Sequence, residues 1–366
     1  MNRESPLLYK PDWPKAQARW EAFWQRTPAD RPCIDVRAPR PTEVQPPPEP
    51  AEPETRYFDP DYVVRTWLHQ MESTHLGGEA VPVGGFLMGG YALGCGSNVV
   101  FAPWTVWHPV KMDTLDAPVD WHPGPDDPWR AKLERVILRL IEESRGKFLV
   151  GYAGQVPVND LLELLRGVDG FLTDLALDCA KCVRRLEETF PRWLENFQHF
   201  RQLVDAHQDA GCVYGWPGIW SKRFFVGTQS DMSCMISRQH FETYVMREMD
   251  LLGEVSDCVW YHVDGSAAKR HLATLCSRSY LRCIQYVASC DEPPNGPYHL
   301  DFYRQVQAAG RCLDIWVPIE HMEFLTRHLR PEGVILRTWV DSREKADELL
   351  DKATRWAGTH AQSTAV

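Results

Sequence analysis

What most constrains this chain is an alternation of two patterns. Short apolar runs ("EAVPVGGF", "KFLVGYAG", "GCVYGW", "CVWYHVD", "LRCIQYV", "CLDIWVP" and "GVILRTW") are separated by stretches of helical periodicity. Among the latter are "DPDYVVRTWLHQME", "DPWRAKLERVILRLIEES", "RQHFETYVMREMDLLGEV", "LDFYRQVQAAG" and "SREKADELLDKATRW". A strand that is apolar at every position is covered on both faces, and such strands are typically parallel and joined by helices. Repetition of βα units from residue 58 to 357 predicts an α/β fold, a (β/α)8 TIM barrel rather than an open sheet. The glycines of "VGGFLMGGYALGCGSN" have neither dinucleotide-loop nor phosphate-loop spacing, so a doubly wound nucleotide-binding sheet loses support.

Residues 39–54, "PRPTEVQPPPEPAEPE", are rich in proline and glutamate and read as an extended surface linker. Before it, "KAQARWEAFWQRT" spaces its aromatics as a helix does, and "PCIDVRAP" is strand-like. The expected division is an N-terminal extension with linker over 1–57, packed on the main body, then the barrel domain over 58–357 and a tail over 358–366. No run is long enough to span a bilayer, and "MNRESPLLYKPDWPK" lacks the order of a secretory signal, so a cytoplasmic protein without membrane contact is expected. A net charge of −10 argues against a nucleic-acid partner, which wants a basic face. The eleven cysteines are odd in number in a long chain, which disfavours a disulfide framework. Cys179 and Cys182 have CxxC spacing but share one face of a helical pattern with Leu175 and Leu186, and read as core.

In a barrel, chemistry belongs at the C-terminal strand ends. Those ends carry Gln155, Trp216 and Trp220, His262 and Asp264, Gln285 and Glu320. Alternation places Cys258, Trp260, His262 and Asp264 on one side of their strand, as an inward-facing row, with Gly265 turning the chain into the next helix. Asp231 and Ser233, in "GTQSDMSCMIS", lie in a loop expected to enter the mouth. The expected catalytic residues are His262, Asp264, Asp231 and Glu320, with substrate contacts from Trp216, Trp220, Gln155, Tyr261 and Gln285. Each has a plainer reading. Asp264 can cap a helix, His262 can be a satisfied core histidine, Glu320 can favour a helix start, and the tryptophans can be rim packing.

From "GTQSDMSCMISRQHFETYVMREM" through "YHVDGS", "LRCIQYV", "LDIWVP" and "GVILRTWVDSREKADELL", order and spacing resemble the uroporphyrinogen decarboxylase superfamily. That superfamily includes the corrinoid and coenzyme M methyltransferases and, more distantly, cobalamin-independent methionine synthase. The resemblance is clearest over 210–355 and implies a TIM barrel. Against the methyltransferases, His262 matches the histidine of their His-x-Cys zinc motif, Asp264 replaces its cysteine, and Thr338–Trp339 stand near the second cysteine. Gln285 lies close to where the methionine synthases place a glutamate ligand. The decarboxylases' arginine-rich N-terminal segment has no counterpart.

Replacing two thiolates by a carboxylate and neutral groups favours a harder Lewis-acid metal, or none. The resemblance therefore implies zinc or another divalent metal on His262, Asp264 and Glu320, or general acid–base chemistry by the same groups. The leading expectation is methyl-group transfer involving a small-molecule substrate or a corrinoid protein as partner, corrinoid entering only through that partner. The alternatives are a decarboxylase that holds a carboxylated substrate with Lys222, Arg223 or Arg337, and a catalytically silent ligand-binding homologue. A dimer is compatible with the sequence.

Overall fold

The protein is described by a computed structural model over residues 5–85, 88–93, 99–117, 127–152, 154–208 and 211–358. The strands are β1 (Cys33–Pro39), β2 (Thr74–Gly78), β3 (Val83–Gly84), β4 (Val100–Phe101), β5 (Val106–Trp107), β6 (Leu149–Val150) and β7 (Cys212–Tyr214). They continue as β8 (Ile219–Ser221), β9 (Phe225–Thr228), β10 (Cys258–Asp264), β11 (Leu281–Val287), β12 (Cys312–Trp316) and β13 (Val334–Trp339). A seven-stranded sheet runs in the order β2-β1-β13-β12-β11-β10-β9. All its pairings are parallel except β1 with β2. β3 pairs with β6 in parallel, and a parallel bridge from Tyr152 to Tyr214 carries that pair toward β7. The parallel α/β expectation therefore holds. Among the described residues no ladder joins these short strands to the ends of the main sheet, so the hydrogen bonds define a parallel sheet with flanking pairs.

The apolar runs form strands for the anticipated reason: β12 and β13 are buried at nearly every position, and helices cover them. Phe225–Thr228, absent from the apolar runs expected as strands, is the edge strand β9, paired to β10 from Cys258 to Tyr261. The N-terminal residues also depart from expectation. Cys33–Pro39 is inserted between β2 and β13, so it is part of the central sheet and not of an appended extension. Helix α1 (Trp13–Gln25) buries Trp13, Trp20 and Phe23, and the Trp24 indole N–H donates to Trp220 O at 2.8 Å. The proline-rich residues 40–50 form neither helix nor strand, as their composition requires.

Six further helices follow α1 before β7: α2 (Thr55–Phe58), α3 (Pro60–Ser73), α4 (Arg130–Ser144), α5 (Val158–Arg166), α6 (Val168–Leu177) and α7 (Cys179–His207). Cys182 is buried in α7, and the ten described cysteines are all free; most are buried, while Cys234 and Cys290 are exposed. No described helix is long and apolar enough to cross a membrane.

Two long-range devices position the strand ends. The first is a buried ion cluster. Arg337 of β13 is fully enclosed, with Nε and Nη2 on Asp314 of β12 at 2.6 and 3.0 Å and Nη1 on Asp35 of β1 at 2.6 Å. Arg37 makes a second fork onto Asp35 at 3.0 and 2.9 Å. The second device holds α5. Glu248, itself buried, accepts from the backbone N–H of Val158 and of Asn159, each at 2.8 Å, and from the Asn159 side chain at 2.7 Å. These amides open the helix and have no partner within it, so a carboxylate from another helix completes its N-terminus.

Candidate active site

His262 stands where alternation put it. Trp260, one step earlier on the same side of β10, stacks with it at 6.4 Å and directs its indole N–H to Asp314 Oδ2 at 3.4 Å. His262 lies opposite Gln285 of β11 in the parallel register, and its Nδ1 makes a short hydrogen bond to Gln285 Oε1. An amide oxygen only accepts, so Nδ1 carries the hydrogen of this contact and Nε2 is the ring nitrogen left to exchange a proton. Gln285 is fully buried and its Nε2 has no partner in the fold, which leaves an amide donor beside the imidazole. Trp216, half-buried in the β7–β8 connection, meets His262 edge to face at 5.1 Å and Trp260 at 5.9 Å.

The loop after β9 brings in Asp231. Gln229 Nε2 donates to Asp231 Oδ1 at 2.7 Å and lies 3.4 Å from Asp160 Oδ2, while the Asp231 backbone N–H donates to Asp160 Oδ1 at 2.9 Å. Asp160 sits in the first turn of α5, 2% exposed. Burial, and then the Asp231 carboxylate, hold its acid form well above the ordinary range. Asp231 is an exposed residue whose carboxyl is nevertheless crowded by protein, and that desolvation raises its pKa. His262 opposes the rise, and Asp264 adds to it. Glu163, one turn further along α5, is pushed up to about 7 by burial and then by Asp231.

Tyr91 joins the same field: burial, then Asp160 and Asp231, push its phenol up to about 12. It arrives on a 3-10 turn, Met88–Ala92, that rests directly on the chain following β6. A Cβ at Gly90 would meet Gly154 O at 1.7 Å, so only glycine permits the approach. The strand ends thus assemble an imidazole held at Nδ1, an aromatic wall and a set of carboxyls with a raised demand for protons.

The other expected residues divide. Asp264 is exposed at the end of β10 and makes no capping bond to the helix Gly265–Ala268, so the structural-cap reading does not apply. Glu320 is exposed in the 3-10 turn Ile319–His321 after β12. Among the described residues, no group of three or more His, Cys, Asp or Glu side chains is arranged to hold a metal ion. His262, Asp264 and Glu320 are thus not brought together as a ligand set, and His262 Nδ1 is already engaged by Gln285.

Trp220 is a core residue, 2% exposed and edge-on to Trp13 at 5.8 Å, so it is no wall of the mouth. Tyr261 points to the opposite side of β10 from His262 and packs edge-on against Phe241 at 6.4 Å. Gln155 donates to Trp193 O at 3.2 Å and borders a void of about 20 Å³, room for one water at most. Of the candidate carboxylate-binding cations, Arg337 is sealed between Asp35 and Asp314, and Lys222 faces Glu21 at 3.7 Å.

Asp160, Glu163 and Tyr91 were not singled out from sequence. The signal for the first two was present, since both fall on the apolar stripe of "VPVNDLLELLR". A carboxylate there must be paired, neutral or functional.

No family model matches the chain, and no curated protein matches it. Seven solved chains do. Among them a methyltransferase from Methanosarcina mazei superposes with a TM-score of 0.60, covering 93% of this chain and 98% of that one at 12% identity. At that identity the likeness establishes a shared α/β fold.

Proposed function

We propose that this protein is a group-transfer enzyme that moves a methyl group to or from a small substrate, with a corrinoid-carrying protein as its partner. We take the parallel strands to continue through β3, β6 and β7 into a (β/α)8 barrel of the uroporphyrinogen decarboxylase type, with the reaction at its C-terminal mouth. The observation that carries the reading is that His262 of β10 and Asp264 at its end both act on the Asp231 carboxyl in the loop after the neighbouring strand β9, one opposing the rise of its pKa and the other adding to it. The fold shared with a solved methyltransferase supports it.

Transfer from X–CH3 to Nu–H breaks the C–X bond, forms the C–Nu bond, removes a proton from Nu and leaves X with an electron pair. His262 Nε2, the ring nitrogen left free because Gln285 holds Nδ1–H, accepts the nucleophile's proton. Where X is a substrate heteroatom, Asp231, whose desolvated carboxyl favours the acid form, returns a proton to it; a corrinoid leaving group would keep the electron pair and take no proton. Trp216 forms the flat wall beside the reacting methyl group. Among the described residues no His, Cys, Asp or Glu set is arranged as metal ligands, and the step is written without a metal. Decarboxylation of a polyanion has less support, because its best candidate cation, Arg337, is buried and doubly paired.

The test is methyl transfer from methylcobalamin, free and on a carrier protein, to a panel of thiols and amines, followed by the corrinoid spectrum. The wild-type protein is expected to turn over. His262→Ala, which removes the base that takes the proton of the thiol or amine, is expected to lose about 10²-fold or more, the scale of general acid–base catalysis. Full activity in His262→Ala sinks the assignment.

A further inference from the structure

A second site lies on the far side of the turn that carries Tyr91. Between α3 and the β4–β5 hairpin is a cavity of about 240 Å³, walled by Tyr57, Tyr62, Trp67, Met88 and Trp104, with the Arg56 side chain at its edge. The walls are fixed independently of any ligand. The Tyr57 hydroxyl donates to Ala102 O at 2.5 Å and lies 3.2 Å from Thr105 O, tying α2 to the hairpin turn that presents Trp104. Trp104 is nonetheless 79% exposed, a large apolar surface left uncovered by the fold. The Arg56 guanidinium lies over its ring at 4.5 Å.

The only anion paired with Arg56 among the described ion pairs is Glu49. Glu49 belongs to the proline-rich stretch that forms neither helix nor strand, and its side chain is 68% exposed, against 14% for Arg56. An exposed carboxylate from a segment without helix or strand therefore rests on a largely buried cation in an aromatic cleft. It shows which chemical group the cation accepts and is one that a ligand can replace.

We infer that this cleft binds a small aromatic carboxylate, its ring between Trp104 and the tyrosine wall and its carboxylate forked onto Arg56 in place of Glu49. The volume limits the ligand to one or two fused rings, since sites for drug-sized molecules run from ~300 Å³ upward. Guanidinium and carboxylate match as a bidentate pair, and flat walls with a stacked cation favour a planar body. The site lies apart from His262 and does not depend on the reaction proposed above.

The experiment titrates the full chain with indole-3-carboxylate, its neutral carboxamide and acetate, read by saturation-transfer NMR and calorimetry. Saturable binding of indole-3-carboxylate is expected, with the carboxamide and acetate each ~10-fold weaker or more, the value of one charge-assisted hydrogen bond. Arg56→Gln is expected to weaken binding at least ~10-fold. Glu49→Gln, which removes the competing carboxylate, is expected to tighten it several-fold. Trp104→Leu tests the wall at an exposed position where folding is not at stake, and weakens it several-fold. No saturable binding, equal binding of acid and carboxamide, or an affinity unmoved by both Glu49→Gln and Trp104→Leu overturns the inference.

Discussion

The buried ion cluster beneath the strand ends makes the sharpest prediction, through Arg337→Met. Methionine is shorter than arginine but close to it in volume, so the change removes charge and hydrogen bonds with little loss of volume. Three contacts to carboxylates vanish, at 2.6, 2.6 and 3.0 Å, together with one to Gly218 O at 3.1 Å. Asp35 keeps the fork from Arg37. Asp314, 1% exposed, keeps only the Trp260 indole at 3.4 Å. The loss is therefore dominated by one stranded carboxylate, and breaking a buried pair in this way costs about 3–5 kcal/mol. An unfolding entropy of ~2.1 cal/mol/K per residue gives ~0.8 kcal/mol/K for this chain, so the melting temperature should fall by about 4–6 °C.

Two controls separate charge from packing. Adding Asp314→Asn to Arg337→Met removes the stranded charge and should restore a large part of the loss, whereas Asp35→Asn should restore little because Arg37 remains. The readout is differential scanning calorimetry at neutral pH in low and high salt. Salt should change the difference little, because all three groups are shielded from counterions. A fall below 1 °C, or equal rescue by the two asparagines, would refute the reasoning.

The remaining predictions concern the carboxyl field and His262. Glu163 titrates near 7 in the fold because burial and then Asp231 oppose its charge. As pH rises from about 4.5 to 7 the unfolded chain has lost a proton that the folded chain retains, so stability declines across that window. Glu163→Gln should lessen this decline, leaving the share of Asp160 and Asp231, and gain about 2–3 kcal/mol at pH 8 relative to pH 4; a difference from wild type in urea melts that is the same at the two pH values contradicts it. Gln285→Leu deprives the His262 Nδ1–H of its acceptor, so its slowly exchanging downfield proton resonance should disappear while the fold persists; survival of that resonance would show that Gln285 does not set the tautomer.

What was legible in the sequence follows the range of the forces involved. Alternation along β10 is a property of adjacent residues, and it placed Trp260 and His262 on one side without knowledge of their neighbours. The burial of Trp220 depends on α1, some two hundred residues earlier, and no local pattern distinguishes a rim tryptophan from one that closes the core. The same holds for Asp160, whose helix is set by Glu248 from 88 residues downstream. Cys33–Pro39 looked like part of an appendage because a proline-rich stretch follows it, yet its charges told otherwise. "CIDVRAP", "CLDIWVP" and "GVILRTW" are apolar runs that between them carry Asp35, Arg37, Asp314 and Arg337, two acids and two bases. Charges in strands destined for burial must find each other or forfeit several kcal/mol apiece, so runs whose unmatched charges cancel only when taken together are runs that meet in one sheet. Read that way, Arg337 belongs with buried acids rather than with surface charges free to hold a substrate, while its partners, Asp35 and Asp314, are fixed only by the pairing of β13 with β1 and β12.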